Sequence, residues 1–106
     1  MNIKLIDSPT EIDTNLKLMN VFNNIMGRMN TRFNLENKLP LLTSPTENDS
    51  VNEIMILCNH IFDAIGSLIP FDYKVESTSD IDSIEEIMNA FNRIISTLQG
   101  LGNILV

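Results

Sequence analysis

The chain has 106 residues, of which 43% are hydrophobic, with one cysteine and a formal net charge of −7. This length and apolar content suit one small helical domain, residues 1–106, and a single cysteine excludes an intrachain disulfide. The acidic balance disfavours binding to nucleic acid or to an anionic membrane surface, whereas a basic protein surface would be attracted.

The start of the chain, MNIKLIDSPTE, has one lysine and a short apolar run, unlike the long apolar core of a signal peptide. The longest apolar run, IMILC at 54–58, is far shorter than the roughly 18 residues that a membrane-spanning helix needs. We therefore expect a protein that is cytoplasmic or enclosed in an intracellular particle, without membrane binding or classical secretion.

The first predicted helix begins at the motif DSPTEID, residues 7–13. Ser8 can serve as the N-cap, Pro9 as the first helical residue, and Glu11 as the acidic partner that closes a capping box. Apolar residues then recur at steps of three and four as far as Met29, which predicts a helix over residues 9–34.

The same motif returns as TSPTEND at 43–49 and predicts a second helix over residues 45–69. Residues 54–58 leave this helix almost no polar side for more than one turn. A helix that is apolar all round is either enclosed or covered by another molecule, so Ile56 and Leu57 are predicted to contact a partner. The alternative is a single exposed isoleucine, which is common on protein surfaces.

The third predicted helix, residues 78–101, follows STSD at 77–80 and carries one wide apolar stripe. Beside that stripe Asp82, Glu85 and Glu86 share one face, where they either imitate a row of phosphates or simply favour the start of the helix. The chain closes with LQGLGNILV, which has no charge. This segment either docks a partner or seals the core through Leu101, Ile104, Leu105 and Val106.

Similar residues recur at offsets of 36 and 33 along the three helices, including Asn23, Asn59 and Asn92. Either the chain contains three sequence-related helical units, or three amphipathic helices share letters by chance. The recurrent asparagines either form hydrogen bonds between helices or are half-exposed residues at the edge of the apolar stripe.

Two connectors, interrupted by Pro40 and Pro70, separate the predicted helices. Predicted helices of about 22 to 25 residues are about 33 to 37 Å long. The eight residues from Pro70 to Ser77 reach only about 28 Å when extended, so they should not return to the opposite end. The sequence therefore predicts an all-α, up-down-up three-helix bundle.

Few residues are suited to catalysis. Cys58 and His60 point about 200° apart on one helix, so they cannot form a nucleophile and base pair. Two such ligands are too few for zinc, and the carboxylates of residues 72–86 lack the spacing of a calcium loop.

We therefore expect no enzyme, cofactor or metal. The favoured function is a non-catalytic protein-protein interaction or assembly protein that self-associates into a homo-oligomer. The alternative is a small acidic antagonist of a basic protein, such as a nucleic-acid-binding protein.

Overall fold

The computed structural model describes the backbone of residues 4–105 and the side chains of residues 4–101. The described chain is all-helical and contains no strand, and its overall form is consistent with a three-helix bundle measuring 33 × 25 × 24 Å. Three α-helices span α1 Asn15–Arg32, α2 Val51–Gly66 and α3 Ile84–Leu105. A short 3-10 helix precedes each of them, at Pro9–Ile12, Pro45–Asn48 and Thr78–Asp80.

Each helical unit starts in two stages rather than one. The Ser8 side chain accepts a hydrogen bond from the Thr10 backbone N–H, and Glu11 closes the capping box, but this box caps only the first 3-10 helix. The chain is extended again at Thr14, whose side chain accepts from the Lys17 backbone N–H and caps α1. Helix α1 therefore begins at residue 15, not at residue 9 as the sequence predicted.

The second and third units repeat this arrangement. Ser44 and Ser77 cap the 3-10 helices, and Ser50 is a second cap, for α2. In the second unit, hydrogen bonds from the Thr43 backbone N–H, the Thr43 hydroxyl and the Ser44 backbone N–H lower the pKa of the Glu47 carboxyl. The ends also differ from those predicted, because α2 ends at Gly66 rather than 69 and α3 continues to Leu105 rather than 101.

One hydrophobic core contains residues from all three helices. Near its centre the rings of Phe22 and Phe91 meet edge to face, with centroids 4.7 Å apart. Cys58, at the corresponding position of α2, is completely buried. The most deeply buried members of the core include Ile25, Met26, Met29, Ile61, Phe62, Ile65, Ile94, Ile95 and Leu98.

The connectors double back along the helix that they follow. After α1, the backbone of Leu39 is hydrogen-bonded to Asn30 and that of Leu42 to Asn23. Farther along, the amide of Asn48 lies 3.0 Å from the backbone nitrogen of Met19, in the first half of α1. The start of α2 therefore lies beside the beginning of α1, whereas an up-down hairpin requires it to lie beside the end.

The second connector also turns back along α2, the helix that it follows. The backbone of Val75 is hydrogen-bonded to Asn59 in the middle of α2, and Thr78–Asp80 packs on the same helix. The premise of the up-down-up prediction was a second helix of 25 residues, but α2 has 16 residues and is about 24 Å long. Because α2 is shorter and ends at Gly66, the connector is also longer than predicted and can reach back to the middle of the helix.

Candidate interaction site

Three asparagines bind the extended segments that precede the 3-10 helices. In each case the side-chain oxygen accepts from a backbone N–H, and the side-chain nitrogen donates to the carbonyl of the same residue. We call this arrangement an asparagine clamp. The N–H···O and N–H···O=C distances are 2.8 and 3.0 Å for Asn23 with Leu42, 2.7 and 2.9 Å for Asn59 with Val75, and 2.7 and 2.9 Å for Asn92 with Ile6.

The clamps join the units in a ring. Helix α1 binds the segment before the second unit, α2 binds the segment before the third, and α3 binds the segment before the first. The first two clamps join residues 19 and 16 positions apart, whereas Asn92 and Ile6 are 86 positions apart. Contacts between α3 and Pro9–Ile12 extend this closure beyond the clamp itself.

Ile56, the central residue of the predicted interaction surface, is 43% exposed on α2. Asn20 and Asn89 occupy the corresponding positions of α1 and α3 and are also exposed. The position therefore faces solvent in all three helices, and α2 alone places a large apolar side chain there.

Other residues of the predicted contact surface lie elsewhere. Leu57 and Leu101 are buried in the core of the chain itself, so a partner does not reach them in this structure. The backbone of α3 includes residue 104 and Leu105, but the side chains of Ile104, Leu105 and Val106 lie outside the described residues.

The acidic surface is narrower than predicted. Asp82 and Glu85 are exposed, but Glu86 is half-buried and its carboxylate accepts a hydrogen bond of 2.9 Å from the Ser83 hydroxyl. Ser83 in turn accepts from the Glu86 backbone N–H. Because Glu86 stabilises the start of α3, it contributes less to an exposed row of charges than its position in the sequence suggests.

A groove of about 570 Å³ runs between the second connector and α3. Arg93 lies along it with its guanidinium 4.1 Å from the centre of the Tyr73 ring. Ala90 forms part of its wall at the position where α1 has Val21 and α2 has Leu57, and the smaller side chain leaves space there. A second groove of about 380 Å³ lies between the first connector and the later half of α2, beside His60.

The described residues offer little for catalysis or metal binding. Burial raises the pKa of the Cys58 thiol from its ordinary 9.0 to about 12, so the thiol stays protonated and unreactive at neutral pH. His60 is exposed on the opposite side of α2. Within residues 4–105 no group of three or more histidine, cysteine, aspartate or glutamate residues could hold a metal ion. None of the described helices has the length and apolar character needed to cross a membrane.

Sequence reasoning noticed the recurrent asparagines but not their role. A signal for it was present, because each clamped residue is apolar and stands two positions before a capping serine: Ile6 before Ser8, Leu42 before Ser44, and Val75 before Ser77. Asn30 binds the backbone of Leu39 at 2.7 and 2.8 Å in the same two-ended way, and the corresponding positions of α2 and α3 hold Gly66 and Gln99.

Comparison with known proteins identifies no relative: no family model, no curated protein and no solved structure matches the chain.

Proposed function

We propose that this chain is a non-catalytic assembly protein that self-associates through a surface centred on Ile56. The observation that carries the proposal is the 43% exposure of this side chain at a position where the equivalent helices have asparagine. A single exposed isoleucine is common on protein surfaces. An apolar residue surrounded by polar ones is, however, also the usual anchor of a protein interface.

The surroundings of Ile56 suit such an anchor. Asn52, Asn59 and His60, which lie one turn away on α2, are polar and at least partly exposed. The groove beside His60 adds a concave surface on the same helix. A stable dimer buries about 1,200 Å² or more in total, so Ile56 would be the centre of a larger contact rather than the whole of it.

Substitution of Ile56 by the residue found in the other helices tests this function. Ile56→Asn should leave helix content unchanged and lower the mass measured by sedimentation velocity toward that of the 12.0 kDa chain. Leu16→Asn is a matched control, because Leu16 is 54% exposed on α1 and its equivalents are Asn52 and Glu85. An oligomer that is lost with Leu16→Asn but kept with Ile56→Asn would contradict the proposed surface.

The acidic antagonist remains the second candidate. The net charge of −7 and the exposed Asp82 and Glu85 favour it, whereas the engagement of Glu86 with Ser83 weakens it. Neutralising Asp82, Glu85 and Glu86 together should abolish binding to a basic protein at low salt if this function is correct. Unchanged binding would exclude that surface.

We also propose an intracellular setting, in the cytoplasm or inside a particle. The buried, unpaired Cys58 supports it, because this chain does not depend on an oxidising compartment. Fractionation of cells that express the untagged protein would test the proposal, and recovery from the culture medium would contradict it.

We further propose that the three units derive from one repeated segment. Three observations support this: the repeated SPTE-like start, the second cap six residues later, and the clamp asparagine at the same register. Shared capping preferences explain the first two, but not the pairing of an asparagine with a residue of the next unit. Relatives in which the units resemble one another more closely would support duplication, and relatives that lack the correspondence would contradict it.

A further inference from the structure

We propose that the segment of residues 4–12 is exchanged between two copies of the chain, each segment docking in the Asn92 clamp of the other copy. This proposal rests on the self-association proposed above and adds a second contact to it. The site is the Asn92 side of α3, and the partner is a second copy of the same chain. Its basis is the Asn92–Ile6 clamp, the only one of the three clamps whose halves are not joined by a short connector.

The segment has the features of a docking element. Ile6 is buried, and both of its backbone polar groups are bonded to Asn92 at 2.7 and 2.9 Å. Ile12, at the other end of the segment, is also buried. Between them the Glu11 carboxylate accepts from the backbone N–H groups of Asp7 and Ser8. Because these bonds are internal, the segment can move as one unit with its turn intact.

The other two clamps are tied by their connectors. A tether of 16 to 19 residues keeps the clamped residue near its asparagine, so that a second molecule competes against a high local concentration. The first connector is also held at Asn30, and the second by stacking of Phe71 on Phe62 and contact of Tyr73 with Phe62. Residues 4–12 are joined to the start of α1 instead of to α3, and Ile6 and Asn92 are 86 positions apart, so that only the break at residues 13 and 14 has to open for the segment to leave.

A hinge is present at the base of the segment. The 3-10 helix ends at Ile12, Asp13 is its C-cap, and Thr14 is extended before α1 begins. The ammonium group of Lys17 spans this break, donating to the Thr10 carbonyl and to the Asp13 carboxylate at 2.9 Å each. Both bonds are exposed to solvent, where an ion pair of this kind contributes little to stability. A change of backbone angles at residues 13 and 14 would carry residues 4–12 away without altering α1.

A second copy is the occupant that fits, because exchange between identical chains restores every bond that opening breaks. The free energy of the exchanged pair then differs from that of two closed monomers mainly through the entropy of association and through any new contact. Ile56 supplies an apolar residue for such a contact. Burial of its side chain would lower the free energy of the pair relative to that of two monomers. The two proposals are thereby connected but separately testable.

Two full-length variants with complementary defects test the exchange. Ile6→Asp damages the segment and leaves the clamp of α3 intact, whereas Asn92→Ala removes the clamp and leaves the segment intact. Each variant should be monomeric alone. When the two are mixed, incubated in mild urea and returned to buffer, native mass spectrometry should detect a heterodimer, because one intact segment meets one intact clamp. Isotope labelling of one variant identifies the mixed species.

Asn59→Ala is the matched control, because the two halves of its clamp are joined by a short connector and are not exchanged. This substitution should not lower the mass of the oligomer. Circular dichroism establishes that all three variants are folded, and Ile6→Asn replaces Ile6→Asp if the latter unfolds. A heterodimer that forms only on mixing supports the exchange. An oligomeric wild type whose mass is unchanged by Ile6→Asp and Asn92→Ala overturns the exchange but leaves self-association standing. A monomeric wild type with no heterodimer in the mixture overturns both.

Discussion

At the residue scale, the clamp asparagines use both ends of one amide to replace the hydrogen bonds that a strand partner would supply. An extended connector lying on a helix exposes N–H and C=O groups that cannot remain unpaired when buried. Asn23, Asn59 and Asn92 are half-buried and each satisfies one such pair. Within the described residues no buried side-chain nitrogen or oxygen lacks a hydrogen-bond partner.

Asn23→Ala should therefore lower the free energy of unfolding by about 2 kcal/mol, because the N–H and C=O of Leu42 lose their partners in a place of low solvent access. Asn24→Ala is the control on the same helix, since Asn24 is exposed and binds only the Arg28 side chain. Urea denaturation measures both. Equal effects of the two substitutions would show that the clamp contributes little.

Burial of Cys58 makes stability depend on alkaline pH. Its pKa is about 12 in the folded chain against an ordinary 9.0, so the folded state keeps its proton after the unfolded state has lost it. The contribution of the neutral Cys58 thiol to the free energy of unfolding is fully present below pH 9 and is lost as the pH rises toward 12. Between pH 7 and pH 10 this ionisation should lower the free energy of unfolding by about 1 kcal/mol. Cys58→Ala should lack that loss, and an identical pH dependence in both proteins would contradict this origin.

At the element scale, each unit begins with two caps in series, and a connector that turns back follows α1 and α2. Glycines in the helices have different surroundings in this arrangement. A Cβ atom added to Gly27 in the middle of α1 would meet nothing within 4 Å, whereas one added to Gly66 at the end of α2 would lie 3.2 Å from the Phe71 carbonyl oxygen.

Gly27→Ala should accordingly raise the free energy of unfolding by about 0.5 to 1 kcal/mol, because alanine loses less backbone entropy in a helix. Gly66 is the last residue of α2, so Gly66→Ala gains less helix propensity and must also displace the connector at Phe71, and its gain should be smaller or reversed. Thermal denaturation of the two variants compares them directly. A larger gain for Gly66→Ala than for Gly27→Ala would mean that the connector is not held there.

The sequence predicted the all-α class, the three helices and most of the core, because those features depend on local capping and on apolar periodicity. It did not predict the two-stage starts. Thr14 and Ser50 are residue types that cap helices, but the SPTE motif was taken to begin the α-helix itself. The return of the connectors depends on side-chain amides that bind distant backbone. An apolar residue two positions before each capping serine is a local signal, but it does not specify which asparagine binds that residue. A length argument based on overlong helices also opposed the return.

In the predicted contact surface, too, the sequence indicated the exposure of one residue but not the burial of another. The exposure of Ile56 followed from its place opposite the apolar stripe, whereas Leu57 lies at the edge of that stripe and was assigned to the surface although it is buried. In a helix that is apolar nearly all round, composition alone does not decide which side faces the core. The packing of the other two helices decides it.

At the scale of the whole molecule, three clamps close the chain into a ring in which each helix holds the segment before another unit. The charge of −7 makes two copies of the chain repel each other. The self-association that we propose would therefore depend on apolar contact at Ile56 and on the one clamp whose halves are far apart in sequence.

The salt dependence of binding distinguishes the two candidate functions. Added sodium chloride screens repulsion between identical acidic chains, so raising it from about 0.02 to about 0.3 M should strengthen self-association. Binding of an acidic antagonist to a basic protein should weaken over the same range. Sedimentation velocity at both salt concentrations measures the first effect, and an oligomer that dissociates as salt rises would contradict apolar self-association.

The most direct test of the account is the solution mass of the wild-type chain, measured by light scattering over a wide concentration range beside Ile56→Asn. We predict that the wild-type mass rises with concentration above the 12.0 kDa of a single chain, and that the variant stays at or near that mass with the same helix content. A wild-type protein that remains at 12.0 kDa throughout would contradict self-association and leave the closed ring as a monomer.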